Sequence, residues 1–411
     1  MKKFLNKYKL RPIWKACLIF ILIFLVYTIF MSYLENSNVN TITSKPETDE
    51  QNIVNETPSN EPEDVVDKNI DLNHELTYVG WIPDWASESG YESLQLNSQL
   101  INQVSPVWYK VNEDGTIQST YEEKNQKLLF DLVNENNIEL IPSIIMFDHE
   151  LFSEVLNDER KLEIHIKNIV DEVVEQNYHG IDLDYESTQL DDKDKYFEFL
   201  ELLSFALHAQ DKILSVSVVP KWGDNISYSY LPETRQVQDW NMIKDYADYI
   251  RIMAYDYTYT NAKYPGPIAP LEWVEQIVEY GLGKIPKEKI ILGIHLYSYE
   301  WSYKKDNRKS QEIIFDADLN EGIEDSITKS YTYAEVLNIL DEYKGKTESY
   351  QGEKFFTYTT QNEDTDSTET RILVYIDQNG IKQRINIAKQ YKLKGVAFWR
   401  LGDEKNLLQE I

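Results

Sequence analysis

Three carboxylates alternate along one short segment of the sequence. Residues 179 to 186 read HGIDLDYE, so Asp182, Asp184 and Glu186 occupy every second position. On a β-strand these positions share one face about 6.6 Å apart, and each ionised pair would repel by about 2.5 kcal/mol. A proton kept on one carboxyl group near neutral pH relieves this repulsion, and a general acid needs such a proton. The segment is therefore a candidate catalytic strand.

The flanking segments favour this interpretation over a solvated acidic edge strand. Apolar residues recur at helical spacing from Leu162 to Val174, and Tyr196 to Leu207 has the pattern of a second helix. A strand between two amphipathic helices is typical of repeating βα units.

Eight candidate strands predict an α/β fold, a (β/α)8 TIM barrel. Their first seven starts lie 27 to 41 residues apart, which fits one strand and one helix per repeat, but the last interval is 105 residues. The strands are Thr77 to Pro83, Val104 to Val111, Ile138 to Phe147, His179 to Glu186, Ile213 to Pro220, Tyr249 to Asp256, Ile290 to Tyr297 and Gly395 to Gly402.

The long last interval predicts a small α+β insertion before the final strand, at residues 303–379. Removing its 77 residues from the 326 between positions 77 and 402 leaves 249, close to the usual barrel length of about 250. Within it, Glu353 to Thr360 and Arg371 to Asp377 are strand-like and flank a polar, turn-rich stretch.

Three strand ends resemble glycoside hydrolase family 18, the family of chitinases and endo-N-acetylglucosaminidases. Gly180 to Glu186 resembles its DGxDxDxE signature, Met253 to Asp256 its M-x-Y-D element, and Val396 to Trp399 its eighth-strand ending. The resemblance covers roughly residues 77 to 402. His179 departs from it, because the family usually has there an Asp that supports the other carboxylates from below.

The resemblance implies substrate-assisted retaining catalysis, in which the 2-acetamido group of the sugar is the nucleophile. Glu186 would protonate the leaving oxygen and later activate water. Asp184 would orient the acetamide, and Asp182 would share a proton with Asp184. Tyr255 would hydrogen-bond the acetamide oxygen. The implied substrate carries an N-acetyl group at C2, as chitin, peptidoglycan and N-glycan cores do.

Further strand-end residues are candidates for a sugar groove, because aromatic rings cover sugar faces and carboxylates bind hydroxyl groups. By the resemblance, Asp256 contacts the same sugar and Trp399 forms the floor beneath it. For each other aromatic residue, a place in the core is the alternative. The predicted substrate-binding aromatics are Trp81, Trp108, Trp222, Tyr257 and Tyr297, and the wider strand-end set adds Asp84, Tyr109, Asp148, Trp301 and Arg400.

The N-terminus predicts a membrane anchor. Residues 1–15 hold six positive and no negative side chains, and residues 16–34 form a charge-free run of 19 residues, about 28 Å of helix. The positive-inside rule then predicts a single-pass protein with a cytoplasmic N-terminus. A cleavable signal peptide is the alternative. Residues 35–75 have the composition of a disordered linker, and residues 76–411 form the extracytoplasmic catalytic domain, in a Gram-positive bacterium.

Net charge and composition narrow the range of partners that the protein could bind. The chain carries −29, so residues after position 15 carry −29 − 6 = −35, which argues against nucleic acid. The six histidines show no metal-binding spacing, and the single cysteine, Cys17, lies in the predicted anchor. We expect no metal or cofactor, and a monomer.

The predicted function is that of a membrane-anchored glycosidase acting on N-acetylglucosamine-containing glycans, with peptidoglycan favoured over external chitin. A catalytically silent, lectin-like glycan-binding protein is the alternative. The presence of Glu186 argues against it, because silent members of the family mainly lack this residue.

Overall fold

A closed barrel of eight parallel strands forms the centre of the computed structural model, which describes residues 74–411 except 225, 229, 261, 263, 305–326, 363–366, 403 and 410. The strands follow one another around the barrel in chain order, and β1 closes the ring by pairing with both its last and its second strand. The barrel strands are β1 (Thr77–Ile82), β2 (Gln103–Val111), β5 (Ser143–Met146), β6 (Gly180–Tyr185), β7 (Ile213–Val218), β8 (Tyr249–Ile252), β9 (Ile290–His295) and β15 (Gly395–Trp399). The prediction of a (β/α)8 barrel is confirmed.

Two short strands extend the barrel sheet beside β2. Strand β3 (Ile117–Ser119) pairs with β2 in antiparallel fashion, and β4 (Glu139–Leu140) pairs with its start in parallel. The third predicted strand, Ile138 to Phe147, is therefore two strands, β4 and β5, separated by Ile141 and Pro142.

Helices cover the outside of the barrel because each buries one apolar stripe. In the fourth helix, Leu162, Ile166 and Ile169 are buried, while Asp158 caps the N-terminus by accepting from the backbone amides of Arg160 and Lys161. The helices are α1 (Ser87–Leu96), α2 (Glu123–Asn136), α3 (His149–Asn157), α4 (Glu159–Glu175), α5 (Lys193–His208), α6 (Pro232–Val237), α7 (Trp240–Ile243), α8 (Leu271–Leu282), α9 (Tyr333–Glu342) and α10 (Gln378–Gln390).

A second, antiparallel sheet lies between β9 and α10 in the chain. Its strand order is β11-β10-β14-β13-β12, and α9 packs on it around Val336, Phe356 and Leu373. The sheet begins at residue 298, five residues before the predicted insertion, because the chain enters β10 soon after β9 ends. Its strands are β10 (Ser298–Lys304), β11 (Ile327–Tyr331), β12 (Gly345–Tyr350), β13 (Glu353–Asn362) and β14 (Ser367–Tyr375).

The predicted membrane anchor at residues 16–34 and most of the linker at residues 35–75 lie outside the described residues. Within the described part of the chain, no helix is both long enough and apolar enough to cross a bilayer.

Candidate active site

Strand β6 carries the three carboxylates at the centre of the barrel. Asp182 is fully buried and Asp184 is 9% exposed, whereas Glu186, just past the end of the strand, is partly buried. The strand packs closely at its start, where a side chain on Gly180 would meet the carbonyl oxygen of Ile213 at 2.3 Å. The alternation seen in the sequence thus places the carboxyl groups at increasing height in the barrel.

Asp182 lies at the bottom of this set in a dense shell of donors. Its carboxylate accepts from the hydroxyl groups of Ser143 (2.8 Å), Ser215 (2.7 Å) and Ser217 (3.1 Å) and from the indole Nε1 of Trp81 (3.4 Å). This number of donors matches the acceptor capacity of an ionised carboxylate.

Arg251 is the counter-ion of Asp182, and sequence reasoning missed it. Its guanidinium Nη1 lies 3.3 Å from the Asp182 carboxylate, and both side chains are fully buried. The same guanidinium donates to Ser105 Oγ and to Gln103 Oε1, each at 2.6 Å. A buried charge requires such pairing and hydrogen bonding, so Arg251 neutralises the floor of the site.

Asp184 and Glu186 share a surplus of negative charge. Burial raises the pKa of Asp184 well above its usual value, and the charges of Glu186 and Asp182 raise it further. Burial, together with the charge of Asp256, raises the pKa of Glu186 to about 7. The Oδ1 atom of Asp184 is buried and has no hydrogen-bond partner among the described residues. The site therefore holds a protonated acid near neutral pH beside an acceptor that a substrate could use.

Tyr255 and Asp256 follow β8 and line the same site. Tyr255 is 8% exposed, and burial with the nearby charge of Asp184 keeps the pKa of its hydroxyl group well above 10, so it stays a donor. Asp256, at φ 60°, opens onto the groove and accepts from the hydroxyl groups of Tyr297 (2.5 Å) and Tyr299 (2.9 Å). Loss of water around its carboxyl group raises the pKa of Asp256, and the two hydrogen bonds oppose that rise.

Aromatic rings and the second sheet border a cavity that is lined by Asp256. The ring of Trp399 makes edge contacts with Trp81 at 6.1 Å and with Trp85 at 6.5 Å, measured between ring centroids. Trp85 is 68% exposed and was not among the predicted site residues. The cavity has a volume of about 360 Å³, and its lining includes Trp399, Asp256 and residues of β11 and α9. Arg400 also lines it.

Two other predicted aromatics form a cluster after β7 and β8. Trp222 is partly buried and contacts Trp273, whose ring also contacts Tyr257. Tyr257 is 47% exposed. Two further exposed rings, Tyr230 and Tyr259, stack at 6.0 Å with an interplanar angle of 19°. Sequence reasoning missed that pair, because Tyr230 lies in a loop rather than at a strand end.

Four of the strand-end aromatics lie in the core, and for them the groove expectation is wrong. Trp81 is 3% exposed and belongs to a core cluster with Val79, Ile291 and Ala397, against which Trp399 packs. Trp108 is 1% exposed and packs on Phe130 and Tyr178, where a β-bulge at residues 107–109 turns its ring outward. The hydroxyl groups of Tyr109 and Tyr178 are hydrogen-bonded at 2.8 Å. Trp301 is fully buried, and its indole Nε1 donates to the backbone carbonyl oxygen of Ala262, in the loop after β8.

The remaining polar candidates have local roles. Asp148 caps α3 by accepting from the backbone amides of Glu150 and Leu151, and Asp84 pairs with Lys110 at 3.5 Å. His179 is exposed before β6, and its Nδ1 accepts from the Leu140 amide at 3.1 Å. Within the described residues, no group of His, Cys, Asp and Glu side chains has the arrangement of a metal site.

Comparison with known proteins agrees with the geometry of the site. The sequence profile of the glycosyl hydrolases family 18 matches residues 77–404. The cortical fragment-lytic enzyme of Bacillus subtilis is 23% identical over 77% of this chain and 68% of its own length. The spore cortex-lytic enzyme SleL of Bacillus megaterium superposes with a TM-score of 0.65 at 21% identity, over 81% of this chain and 72% of that chain.

A chitinase gives a similar match. The Group IV chitinase of Ostrinia furnacalis, solved in complex with allosamidin, superposes with a TM-score of 0.64 at 17% identity, over 82% of this chain and 96% of that chain. Because the profile covers most of the chain and includes all three carboxylates, this protein belongs to family 18 of the glycosyl hydrolases.

Proposed function

We propose that the protein is a membrane-anchored, extracytoplasmic glycosidase that hydrolyses β-1,4 bonds of N-acetylglucosamine-containing glycans. Peptidoglycan is its preferred substrate and chitin the second. The observation that carries the proposal is Glu186, whose pKa is raised to about 7 beside the unpartnered Oδ1 of Asp184. Together they provide a proton for the leaving group and an acceptor for an acetamide N–H.

Family 18 is an exception among retaining glycosidases, because the substrate supplies the nucleophile. Glu186 protonates the glycosidic oxygen while the carbonyl oxygen of the 2-acetamido group attacks C1 and the C1–O bond breaks. Asp184 accepts the acetamide N–H and stabilises the positive charge of the cyclic intermediate. Water then attacks C1, and Glu186, now ionised, takes its proton.

The surrounding residues hold this arrangement in place. The ion pair with Arg251 holds Asp182 in place beneath Asp184. Asp182 shares a proton with Asp184 as positive charge develops above the pair. Tyr255 remains a neutral donor for the acetamide oxygen. Trp399 offers its partly buried ring as the floor under the sugar.

Peptidoglycan is favoured for two reasons. Two of the compared proteins are named for lysis of the spore cortex, and a protein tethered to its own membrane meets the cell's wall before any external polymer. The tether rests on six positive residues followed by the charge-free run at residues 16–34.

The test compares the full-length protein with its Glu186→Gln variant on peptidoglycan and on chitin oligosaccharides, with mass spectrometry of the released sugars. We expect reducing N-acetylglucosamine ends from peptidoglycan and a loss in turnover on the order of 10²- to 10⁴-fold in the variant. Asp148→Asn, which alters a carboxylate at a helix cap, is the matched control. Products from chitin alone would show that chitin, and not peptidoglycan, is the substrate. Retained turnover in Glu186→Gln would refute the mechanism.

A further inference from the structure

A second cleft is lined mainly by residues from the loop after β7 and from the helices and loops that follow it in the chain. Its volume is about 750 Å³, within the range of ligand-binding pockets. Its charged lining residues come from α5, α6 and the loops after β7, before α7 and after α8. They are Lys193, Lys221, Arg235, Lys284, Asp224 and Asp239, and we call this set the basic cleft.

The charge of the basic cleft is opposite to that of the chain. Four cations face two carboxylates there, whereas the whole protein carries −29. Each carboxylate already has a cation: Lys193 bonds Asp239 and Lys284 bonds Asp224, both at 3.0 Å. The surplus of two positive charges therefore belongs to the remaining pair, Lys221 and Arg235.

Both surplus cations are more than nine-tenths buried. Lys221 is 7% exposed, and its ammonium group donates to the carbonyl oxygens of Arg235 (2.8 Å) and Gln238 (2.6 Å), which uses two of its three N–H groups. Arg235 is 6% exposed and donates through Nε to the carbonyl oxygen of Pro220 at 2.9 Å. Its Nη1 atom has no hydrogen-bond partner among the described residues.

Aromatic rings hold Arg235 in position. Its guanidinium carbon lies 4.7 Å from the ring centroid of Tyr228 and 5.9 Å from that of Trp222. Cation–π contacts of this kind stabilise a guanidinium group but satisfy none of its N–H donors. A guanidinium group that has an N–H donor without a partner and is shielded from water is suited to bind an oxyanion.

One short helix joins the basic cleft to the catalytic acid. Thr234 of α6 donates through its hydroxyl group to the backbone oxygen of Glu186 at 2.9 Å, and the next residue, Arg235, faces the cleft. Gln238 donates to the backbone oxygen of Tyr185 at 3.1 Å, while its own carbonyl oxygen binds Lys221. A group bound in the cleft would thus lie against the element that supports Glu186.

We propose that the basic cleft binds a carboxylate of the peptide carried by the peptidoglycan strand, through Arg235 and Lys221, while the glycan occupies the catalytic groove. This inference rests on the proposed function and narrows its substrate to peptide-bearing glycan. Chitin has no such group. The cleft makes the enzyme prefer glycan whose peptides keep their free carboxylates.

The test measures binding, so that it does not depend on hydrolysis. The full-length Glu186→Gln variant is titrated with a disaccharide-peptide fragment of peptidoglycan, and with the same fragment after amidation of its carboxyl groups, by isothermal titration calorimetry. We expect the free carboxylate form to bind about tenfold more tightly, the order of effect of one hydrogen bond to a charged group. Equal affinity for the two forms would overturn the proposal.

Variants in the same background assign the preference to the cleft. Arg235→Gln should abolish it, and Arg235→Lys should keep part of it, because the charge remains but the planar donor pair is lost. Lys127→Gln removes an exposed lysine on α2 that pairs with Asp131 and does not line the basic cleft, and it should keep the full preference. An unchanged preference in Arg235→Gln would overturn the proposal.

Two further measurements guard against an unfolded variant. Thermal unfolding of Arg235→Gln is compared with that of the parent, and Lys193→Gln, at a partly exposed position, should reduce the preference by about two- to fivefold. Higher salt should also reduce it, because screening weakens a carboxylate–cation contact. A preference that is indifferent both to salt and to Lys193→Gln would refute an electrostatic site.

The two proposals fail separately. A carboxylate preference without release of sugars from peptidoglycan by the unaltered enzyme would support the cleft and refute the proposed function. Release of sugars without the preference would support the proposed function and refute the cleft.

Discussion

The three carboxyl groups of β6 have the same chemistry but different surroundings. Asp182 pairs with Arg251 and accepts hydrogen bonds from serine hydroxyl groups. The Oδ1 atom of Asp184 has no hydrogen-bond partner in the described part of the chain, and burial together with the charges of Glu186 and Asp182 raises the pKa of Asp184. For Glu186, the charge of Asp256 adds to the effect of burial in raising the pKa. One strand thus carries a carboxylate held by an ion pair together with two carboxyl groups whose pKa values are raised.

The pH dependence of activity follows from the raised pKa of Glu186. The active form needs the proton on Glu186, so kcat/KM should fall as the pH rises through about 7. Asp256→Asn removes the negative charge that helps to raise this pKa, and the basic limb should then move to lower pH. The measurement is the pH profile of kcat/KM on a chitin oligosaccharide, with Asp245→Asn, an exposed position, as control. A basic limb that stays in place in Asp256→Asn would contradict this origin of the shift.

Removing only one partner of the ion pair between Asp182 and Arg251 should strongly lower the free energy of unfolding. Arg251→Met leaves the Asp182 carboxylate buried without its counter-ion, and we expect a loss of about 3–5 kcal/mol in the free energy of unfolding. The double variant Asp182→Asn with Arg251→Met removes both charges and should lose less than the sum of the single changes. Urea unfolding measures all three. Strictly additive losses would show that the two charges do not interact.

Among the secondary-structure elements, the barrel strands could be predicted because their cadence and apolar content are regular. Every predicted barrel strand has its counterpart, but several end earlier than expected. Strand β8 ends at Ile252 rather than at Asp256, because the chain leaves the sheet there and Asp256 adopts a left-handed conformation. Trp108 was misplaced for a related reason: it was a candidate because it lies near the end of its strand, but at the bulge at residues 107–109 its ring packs on Phe130 and Tyr178. Local backbone irregularity is not encoded in a two-residue periodicity.

The support beneath the carboxylates was missed, although the sequence contains a signal for it. Arg251 lies between Ile250 and Ile252, and Ser215 and Ser217 alternate along β7 in the same way. A polar residue at alternate positions of an otherwise buried strand faces the barrel interior and needs a partner there. The groups around Asp182 come from four other strands, β1, β5, β7 and β8, so only the closed barrel shows that they meet there.

Strand β10 of the second sheet contributes directly to the site through Tyr299. Its hydroxyl group stabilises the ionised form of Asp256, and Tyr299→Phe should therefore raise the pKa of Asp256 and reduce the ionised fraction of its carboxyl group. The pKa of Glu186 should then fall, so that the basic limb of the kcat/KM profile moves to lower pH, by less than in Asp256→Asn. Tyr350→Phe, at an exposed position on β12 of the same sheet, is the control. An unchanged pH profile in Tyr299→Phe would show that the second sheet affects the shape of the groove but not the pKa of Glu186.

At the scale of the whole catalytic unit, a buried ion pair fixes the second sheet to the barrel. Glu353 of β13 bonds Arg384 of α10 at 2.9 Å and accepts from the backbone amides of Ile268 and Ala269, at 2.7 and 2.8 Å. His295, at the end of β9, lies beside it with Nε2 3.6 Å from the Glu353 carboxylate. Burial and the charge of Arg384 lower the pKa of His295, so that it stays neutral. The sheet that borders the groove is thus held where Tyr299 can reach Asp256.

The largest asymmetry of the molecule is one of charge: +6 in the first fifteen residues and −35 in the rest. If residues 16–34 are a retained anchor, the catalytic unit should be found in the membrane fraction, and external protease should degrade it in intact protoplasts. Leu25→Arg places a charge at the centre of the apolar run, at a cost of about 2.5–3.5 kcal/mol for insertion, and should reduce the membrane-bound fraction. Ser32→Arg, near the end of the run, should have a smaller effect, because an arginine there reaches the interface. A mature N-terminus between residues 30 and 45, found by mass spectrometry, would show a cleaved signal peptide and leave the glycosidase free to act away from the membrane.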